Sequence, residues 1–455
     1  MEQKVKFYNK DKKFEVRKSG ERNGGIMRRY YIDPERGTGD GTSPEKAGKS
    51  WEELSPEPGD MVLFKRGSRV YGRLQTKGGT KEGPVLYGAY GEGEKPVFCG
   101  CVELSRKEAW KSCGNHIWEC VEAVPVEACN FIFNGGEACG TMRWSEKELT
   151  ETGDWFDSRA GTHECVEGQP EEREQRLLLY CEENPAERYR KIECATREYR
   201  ELAHAVDNVV IEDLVFEKNG VHGIAGSGEN IVIRRCEIRL IGGCVWSRKL
   251  KIRFGNGVEF WDVSRNVSVT DNLFYDIYDS GVTHQGSTEC QVTENAHFDR
   301  NVFIKCGMAA YEGRDLVPRG LTFHKNVCLD AGEGFSKNGV TMPRNSEIWP
   351  RPMGHHVFLW RMEEPTEGGS LQIAENVFGS SPYGAAVYSL ASKEAEAQFE
   401  IDGNLYYAEK RLFLNRVGGK DYTSFEAYRA ETGYDRNGRL ETVSNGRITP
   451  KEGLL

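Results

Sequence analysis

Seven short segments of this chain share one pattern, an Asn or a residue standing in its place followed by apolar residues at alternate positions. They read Leu214-Val215-Phe216, Cys236-Glu237-Ile238, Asn272-Leu273-Phe274, Asn301-Val302-Phe303, Asn326-Val327, Asn376-Val377-Phe378 and Asn404-Leu405-Tyr406. Counted from positions 214, 236, 272, 301, 326, 376 and 404, the intervals are 22, 36, 29, 25, 50 and 28 residues. One coil of a β-solenoid takes roughly 20 to 30 residues. The 36 then reads as a coil with an insertion. The 50 reads as two coils or as one coil with a long insertion.

Each coil carries further strands. Asn208-Val209-Val210-Ile211, Asn230-Ile231-Val232-Ile233 and Asn266-Val267-Ser268-Val269 precede the repeat position by a few residues. The Asn there suits a tight turn because it tolerates left-handed backbone angles, and stacked Asn side chains can bond from coil to coil. Another strand follows a glycine, as in Gly257-Val258-Glu259-Phe260-Trp261 and Gly281-Val282-Thr283-His284-Gln285. Three strands per coil, joined by right-handed crossovers, make a right-handed parallel β-helix. An antiparallel sandwich or a propeller also uses short strands, but irregular loops around a preserved strand triplet favour the solenoid. The expected organisation is one all-β solenoid over 1–455, with a short N-terminal cap at about 1–60 and an inserted segment at about 140–175. That polar segment carries Trp144 and Trp155, and Leu177-Leu178-Leu179 returns to strand. A short helix is expected over Lys49 to Leu54.

Composition narrows the partners. A formal net charge of -10 argues against nucleic acid, which rewards clustered Lys and Arg, and mildly against acidic polymers. No run of about 20 apolar residues is present to span a membrane as a helix. The 14 Cys form no CxxC pair, only Cys99-Gly100-Cys101, so zinc signatures are missing and no metal or other cofactor is expected. Most Cys sit in apolar runs, as reduced buried thiols do. With the polar opening Met1-Glu2-Gln3-Lys4, this predicts a cytoplasmic protein. In that setting the sequon at Asn266 has no meaning. Gly223 to Gly228 is not followed by Lys and Ser or Thr, so it is not a phosphate loop.

The stretch Tyr31-Ile32-Asp33-Pro34, Gly39-Asp40-Gly41-Thr42-Ser43-Pro44 and Pro58-Gly59-Asp60-Met61-Val62-Leu63-Phe64 resembles the opening of pectin-lyase-like β-helix proteins. Gly255-Asn256-Gly257-Val258-Glu259-Phe260-Trp261 and Tyr275 to Gly281 look like the bacterial glycoside hydrolases of that superfamily, such as the β-helical β-xylosidases. The resemblance implies a carbohydrate-active enzyme. Since one scaffold hosts hydrolases, lyases and epimerases, the reaction has to be argued from the site.

The two irregular intervals carry insertions at Ser247 to Asn256 and at about Val340 to Met353, at equivalent turns, where they can wall a cleft. Between them lie Glu259, Asp279 and Glu312, the expected catalytic carboxylates, with Asp262 in reserve. His222, Arg253, Trp261, His284, Gln285, Tyr311, His356, Trp360 and Arg361 are the expected substrate-binding residues. Sugar sites pair carboxylates with aromatic platforms. Coils stack about 4.8 Å apart, so equivalent carboxylates one coil apart sit near the retaining spacing and two coils apart, at about 10 Å, slightly beyond the inverting range, which leaves the mechanism open. His355-His356 is not expected to bind metal, because neighbours on a strand point to opposite faces.

The leading expectation is a glycoside hydrolase acting on oligosaccharides in a bacterial cell. A polysaccharide lyase or uronate epimerase needs a base and a cation, for which Tyr311, Arg361, Arg253 and His284 are candidates. A non-catalytic carbohydrate-binding β-helix is the third reading. Oligomeric state is not encoded in these patterns.

Overall fold

The computed structural model describes residues 27–161, 175–286, 289–335, 353–379, 381, 384–408 and 415–442. Its main body is a right-handed parallel β-helix. On the ten-stranded sheet Val215 stands beside Glu237, Glu237 beside Leu273, Leu273 beside Val302, Val302 beside Val327, Val327 beside Val377 and Val377 beside Leu405. These offsets reproduce the six sequence intervals. Because Val327 pairs directly with Val377, the 50-residue interval is one coil with a long excursion.

The other two strands of each coil run on through a bend into a seventeen-stranded sheet, as in His222–Arg234 and Val258–Thr270. At the bend Asn208, Asn230 and Asn266 adopt φ of 57°, 57° and 50°. Asn230 Nδ2 donates to Asn208 Oδ1 at 2.8 Å, and Asn295 Nδ2 to Asn266 Oδ1 at 2.8 Å. At the second turn a longer ladder runs Asn272, Asn301, Asn326, Asn376, Asn404 and Asp435, each side chain bonded to the next at 2.9–3.3 Å. The left-handed residue of this turn is the one before the Asn, at Asp271, Arg300, Lys325 and Glu375. It points outward, where Arg300 pairs with Asp271 and Lys325 with Glu375.

Inside, equivalent residues stack in columns. Phe98, Phe216, Ile238, Phe274, Phe303, Cys328, Phe378 and Tyr406 make one column from coil to coil. Burying each large side chain contributes roughly 1.5–3 kcal/mol. The glycines that open the first strand fit because the phenylalanine column passes close by: a Cβ on Gly257 would lie 2.7 Å from Phe274, and one on Gly281 2.5 Å from Phe303.

All three excursions leave the helix at the same turn, after the third strand of a coil and before the first strand of the next. The largest runs between Val97–Cys99 and Glu201–Ala205 and builds two sheets of its own, antiparallel except where Thr141–Met142 pairs in parallel with Asp154–Asp157. Its core includes Phe131, Phe133, Trp155, Leu177, Leu179 and Ile192. The inserted segment expected at about 140–175 lies within this wider unit, and its residues 162–174 fall outside the described ones. The second excursion holds the hairpin Cys244–Ser247 and Ile252–Phe254. The third spans the long interval; its expected insertion at about 340–353 lies outside the described residues except for Met353.

At the N-terminal end, Arg29–Ile32 already pairs in parallel with Met61–Lys65. The expected helix over Lys49 to Leu54 is instead a turn, closed by Leu54 N–H donating to Trp51 O at 3.0 Å. Trp51 sets its edge against Phe64 and Phe98, so burying an indole over the first coil wins over local helix formation. No helix of the described residues is long and apolar enough to cross a membrane.

Candidate active site

On the first strand of each coil, alternate residues face in and out. The inward column is Val258, Val282, Tyr311, Val357 and Val387; one residue further on, the outward column is Glu259, Thr283, Glu312, Phe358 and Tyr388. Glu259 and Glu312 thus stand on one row with Thr283 between them. Two coil steps put their backbones about 10 Å apart. Two residues further along the strands, a second outward row reads Trp261, Gln285, Arg314 and Trp360.

Glu259 is only 4% exposed and accepts from neutral donors. Asn256 Nδ2 and Gln285 Nε2 each donate to its Oε2 at 2.7 Å. His222 Nε2 lies 3.4 Å from Oε1. The His222 Nδ1 accepts from the Asn256 backbone N–H at 3.1 Å, which places the imidazole hydrogen on Nε2, facing the carboxylate. Burial holds this imidazole neutral, against the pull of Glu259. Among the described residues every hydrogen-bond partner of Glu259 is therefore a donor.

Glu312, 3% exposed, is held differently. Its Oε1 accepts from Trp360 Nε1 at 2.7 Å and its Oε2 contacts Ser280 Oγ at 3.1 Å. A hydroxyl both donates and accepts, so Ser280 can bond either to the carboxylate or to a protonated Glu312. Ser280 and Asn256 also connect the two sites, since the Ser280 backbone N–H donates to Asn256 Oδ1 at 3.0 Å.

Other expected residues are placed as follows. Asp279 is buried at the turn just before Ser280, its N–H donating to Gly255 O and its carbonyl accepting from Met308 N. Asp262 has φ 61° and forms the bend after Trp261. Trp261 is 40% exposed on the second outward row. Arg361 is half exposed and pairs with Asp315 at 3.0 Å beside the Trp360 ring.

Four expected groove residues point elsewhere. His284 and Tyr311 lie inside the coil, His284 Nε2 and Tyr311 Oη being 2.9 Å apart, with Tyr311 against Phe298 and Phe323. Burial pushes His284 down to about 3, so it is neutral. His356 donates from Nε2 to Gly379 O and stacks on Phe378 of the interior column, whereas its neighbour His355 stacks on Tyr388 of the outward row. Arg253 is buried, its guanidinium donating to Gly243 O and Cys129 O and lying over the Tyr278 ring. It ties the second excursion to the first. For His284 and Tyr311 the cause is the period of two: Val282 faces in, so His284 does too, and Thr283 faces out.

The sequence reading missed Asn256, Ser280, Thr283 and Arg314. Arg314 donates to Gln285 Oε1 at 2.6 Å and lies 4.7 Å over the Trp360 ring. Thr283 and Arg314 had a usable signal in strand phase, being respectively one residue after Val282 and two after Glu312. Among the described residues, Glu127, Cys129 and Cys244 bring metal-type donors together, but away from this row, at the junction of the first two excursions. There Cys244 Sγ donates to Glu127 Oε1 at 3.2 Å and Gly161 N–H donates to Oε2 at 2.9 Å.

A family model described as a right handed beta helix region matches residues 202–346. The chain is similar to three solved structures. One is the GH136 lacto-N-biosidase from Eubacterium ramulus, with 14% identity, 91% of this chain and 67% of that chain covered, and a TM-score of 0.46. Another is XylC in complex with xylose, with 11% identity, 85% and 70% covered, and a TM-score of 0.47. A third is described as a glycoside hydrolase, with 8% identity, 92% and 96% covered, and a TM-score of 0.49. At these identities and scores the likenesses carry nothing about chemistry. A comparison with curated proteins gives no match.

Proposed function

We propose that this chain is a glycoside hydrolase that cleaves oligosaccharides with inversion, using Glu312 as general acid and Glu259 as general base. The observation that carries the reading is the shared outward row, which holds two buried carboxylates two coils apart with neutral partners. Row positions about 10 Å apart lie slightly beyond the inverting range of roughly 6.5–9.5 Å and far from the retaining spacing of about 5–5.5 Å, so they leave room for a water as well as the sugar. The hydrogen bonds distribute the roles. Glu259 receives only donors and suits the ionised base. When protonated, Glu312 can donate a hydrogen bond to Ser280 Oγ and keep its proton, which suits the acid. In the reaction, water attacks the anomeric carbon and gives its proton to Glu259. The glycosidic C–O bond breaks, and the leaving oxygen takes the proton of Glu312.

Trp261, exposed at one end of the second row, offers an aromatic face to sugar C–H groups, whereas the Trp360 ring is covered by Arg314 and Phe358. Hydrolysis is favoured over a lyase or epimerase because Tyr311 and His284, two candidates for the base those reactions need, face the interior. The proposed setting is the bacterial cytoplasm, in keeping with thiols such as Cys236, Cys306 and Cys328 that are buried singly in the coil core.

A panel of aryl glycosides and uronate polymers tests the reading. Glu259→Gln and Glu312→Gln are each expected to lower kcat by about 100- to 10,000-fold. Activity of Glu312→Gln should recover on a substrate whose aryl leaving group needs no proton, and that of Glu259→Gln should not. NMR of the first-formed sugar should show the inverted anomer. Activity untouched by both substitutions, or an unsaturated uronate as product, overturns the reading.

A further inference from the structure

Thr283 stands on the outward row between the two carboxylates, paired in register with Glu259 on one side and Glu312 on the other. Its side chain is fully buried, and among the described residues its Oγ1 has no hydrogen-bond partner. The groups around it are all engaged. Asn256, Gln285 and His222 are committed to Glu259, and Ser280 and Trp360 to Glu312.

Leaving a buried hydroxyl unpaired costs about 1–3 kcal/mol, and a native fold ordinarily avoids it. A valine has nearly the same shape as threonine and would remove that cost. The position is also one coil step, about 4.8 Å, from the row position of each carboxylate. That is the right scale for a water to touch the hydroxyl and a carboxylate oxygen at once, since each contact is about 2.8 Å.

We infer that Thr283 is a positioning residue whose hydroxyl fixes the attacking water against Glu259. This rests on the hydrolase reading and adds a third member to its machinery. The hydroxyl accepts one hydrogen of the water while the other points to Glu259, so the oxygen lone pair is turned to the anomeric carbon. Thr283 itself neither gains nor loses a proton, and the bond changes remain those of inverting hydrolysis. Misplacing a nucleophile by about 1 Å is enough to cost roughly 100-fold in rate.

The test compares Thr283→Val and Thr283→Ser with the wild-type chain on the best aryl glycoside of the panel. Thr283→Val is expected to lose about 100-fold in kcat with KM within about threefold, and its Tm should stay equal or rise, because an unpaired polar atom has gone. Thr283→Ser should keep most of the activity. A merely structural threonine predicts the opposite split, with Tm falling and kcat per folded molecule intact. If the wild type is active and Thr283→Val keeps kcat within about twofold, or Thr283→Ser is as damaged as Thr283→Val, the inference is overturned and the hydrolase reading stands. If the wild type hydrolyses no glycoside of the panel, both fall together.

Discussion

Two stacks of buried polar residues run along this β-helix, and they are built on opposite plans. In the turn ladder each Asn spends its amide on the coil above and below. Asn326 accepts from the Asn301 backbone and side chain, donates to Phe298 O, and reaches Asn376 Oδ1. In the first-strand row, Glu259 and Glu312 are satisfied by side chains from several turns and strands, and among the described residues the Thr283 hydroxyl between them has no partner. Coil stacking delivers both stacks with the same spacing. The difference shows that a stack closed on itself serves stability, whereas one left open has capacity for something outside the chain.

The sharpest way to break this comparison is in the ladder. Asn326→Ala leaves Asn301 and Phe298 with unpaired buried backbone groups and is expected to lower the unfolding free energy by about 3 kcal/mol. Urea denaturation measures this, and the absence of any loss, as expected for Thr283→Val, would erase the distinction. A charged counterpart lies on the third strand, where Glu217 meets Arg69 at 2.6 Å, Arg239 at 2.8 Å and Lys218 at 3.3 Å. Burial pushes the Glu217 carboxyl up, but these three cations push it further the other way, to about 2. The folded value lies below the unfolded 4.5, so the stabilisation is present above about pH 4.5 and is lost as pH falls toward 2. It amounts to roughly 3 kcal/mol at neutral pH by linkage, somewhat less once residual solvent is counted. Acid unfolding of Glu217→Gln against wild type should show that the difference between them shrinks through this window. The smallest effect belongs to the outer ladder: Arg300→Gln exposes nothing buried and should change stability by about 0.5 kcal/mol or less, an amount that added salt diminishes.

Much of the scaffold was legible before any coordinates. Asn272, Asn301, Asn326, Asn376 and Asn404 mark the coils because between Cys236 at one end and Asp435 at the other each Asn both accepts from one coil and donates toward the next, so the pattern survives every change of loop length. The turn from which the excursions leave was legible for the same reason. The antiparallel unit between Cys99 and Glu201 was not, because its core, from Phe131 to Trp155 and Leu179, is assembled across strands of no fixed spacing. At the candidate site Glu259 and Glu312, which share the outward row, were among the residues named from the sequence, whereas Asp279 lies at the turn before Ser280; the inward turn of His284 and Tyr311 was overlooked although Val282 set the phase. Arg253 could not be placed at all, since its partners Gly243 O and Cys129 O come from two separate excursions.

What the sequence alone determined is the coil: its pitch, its three strands, its polar turns and the places where its spacing is irregular. Backbone hydrogen bonds between coils require that pattern locally, so it can be read locally. What only the tertiary structure decided is the company each polar residue keeps. Glu259, Thr283 and Glu312 share a row because coils of unequal length come into register, and Asn256, Ser280 and Trp360 reach them from turns and strands of three different coils. Side-chain contact across stacked coils depends on register and direction together, and sequence distance records neither.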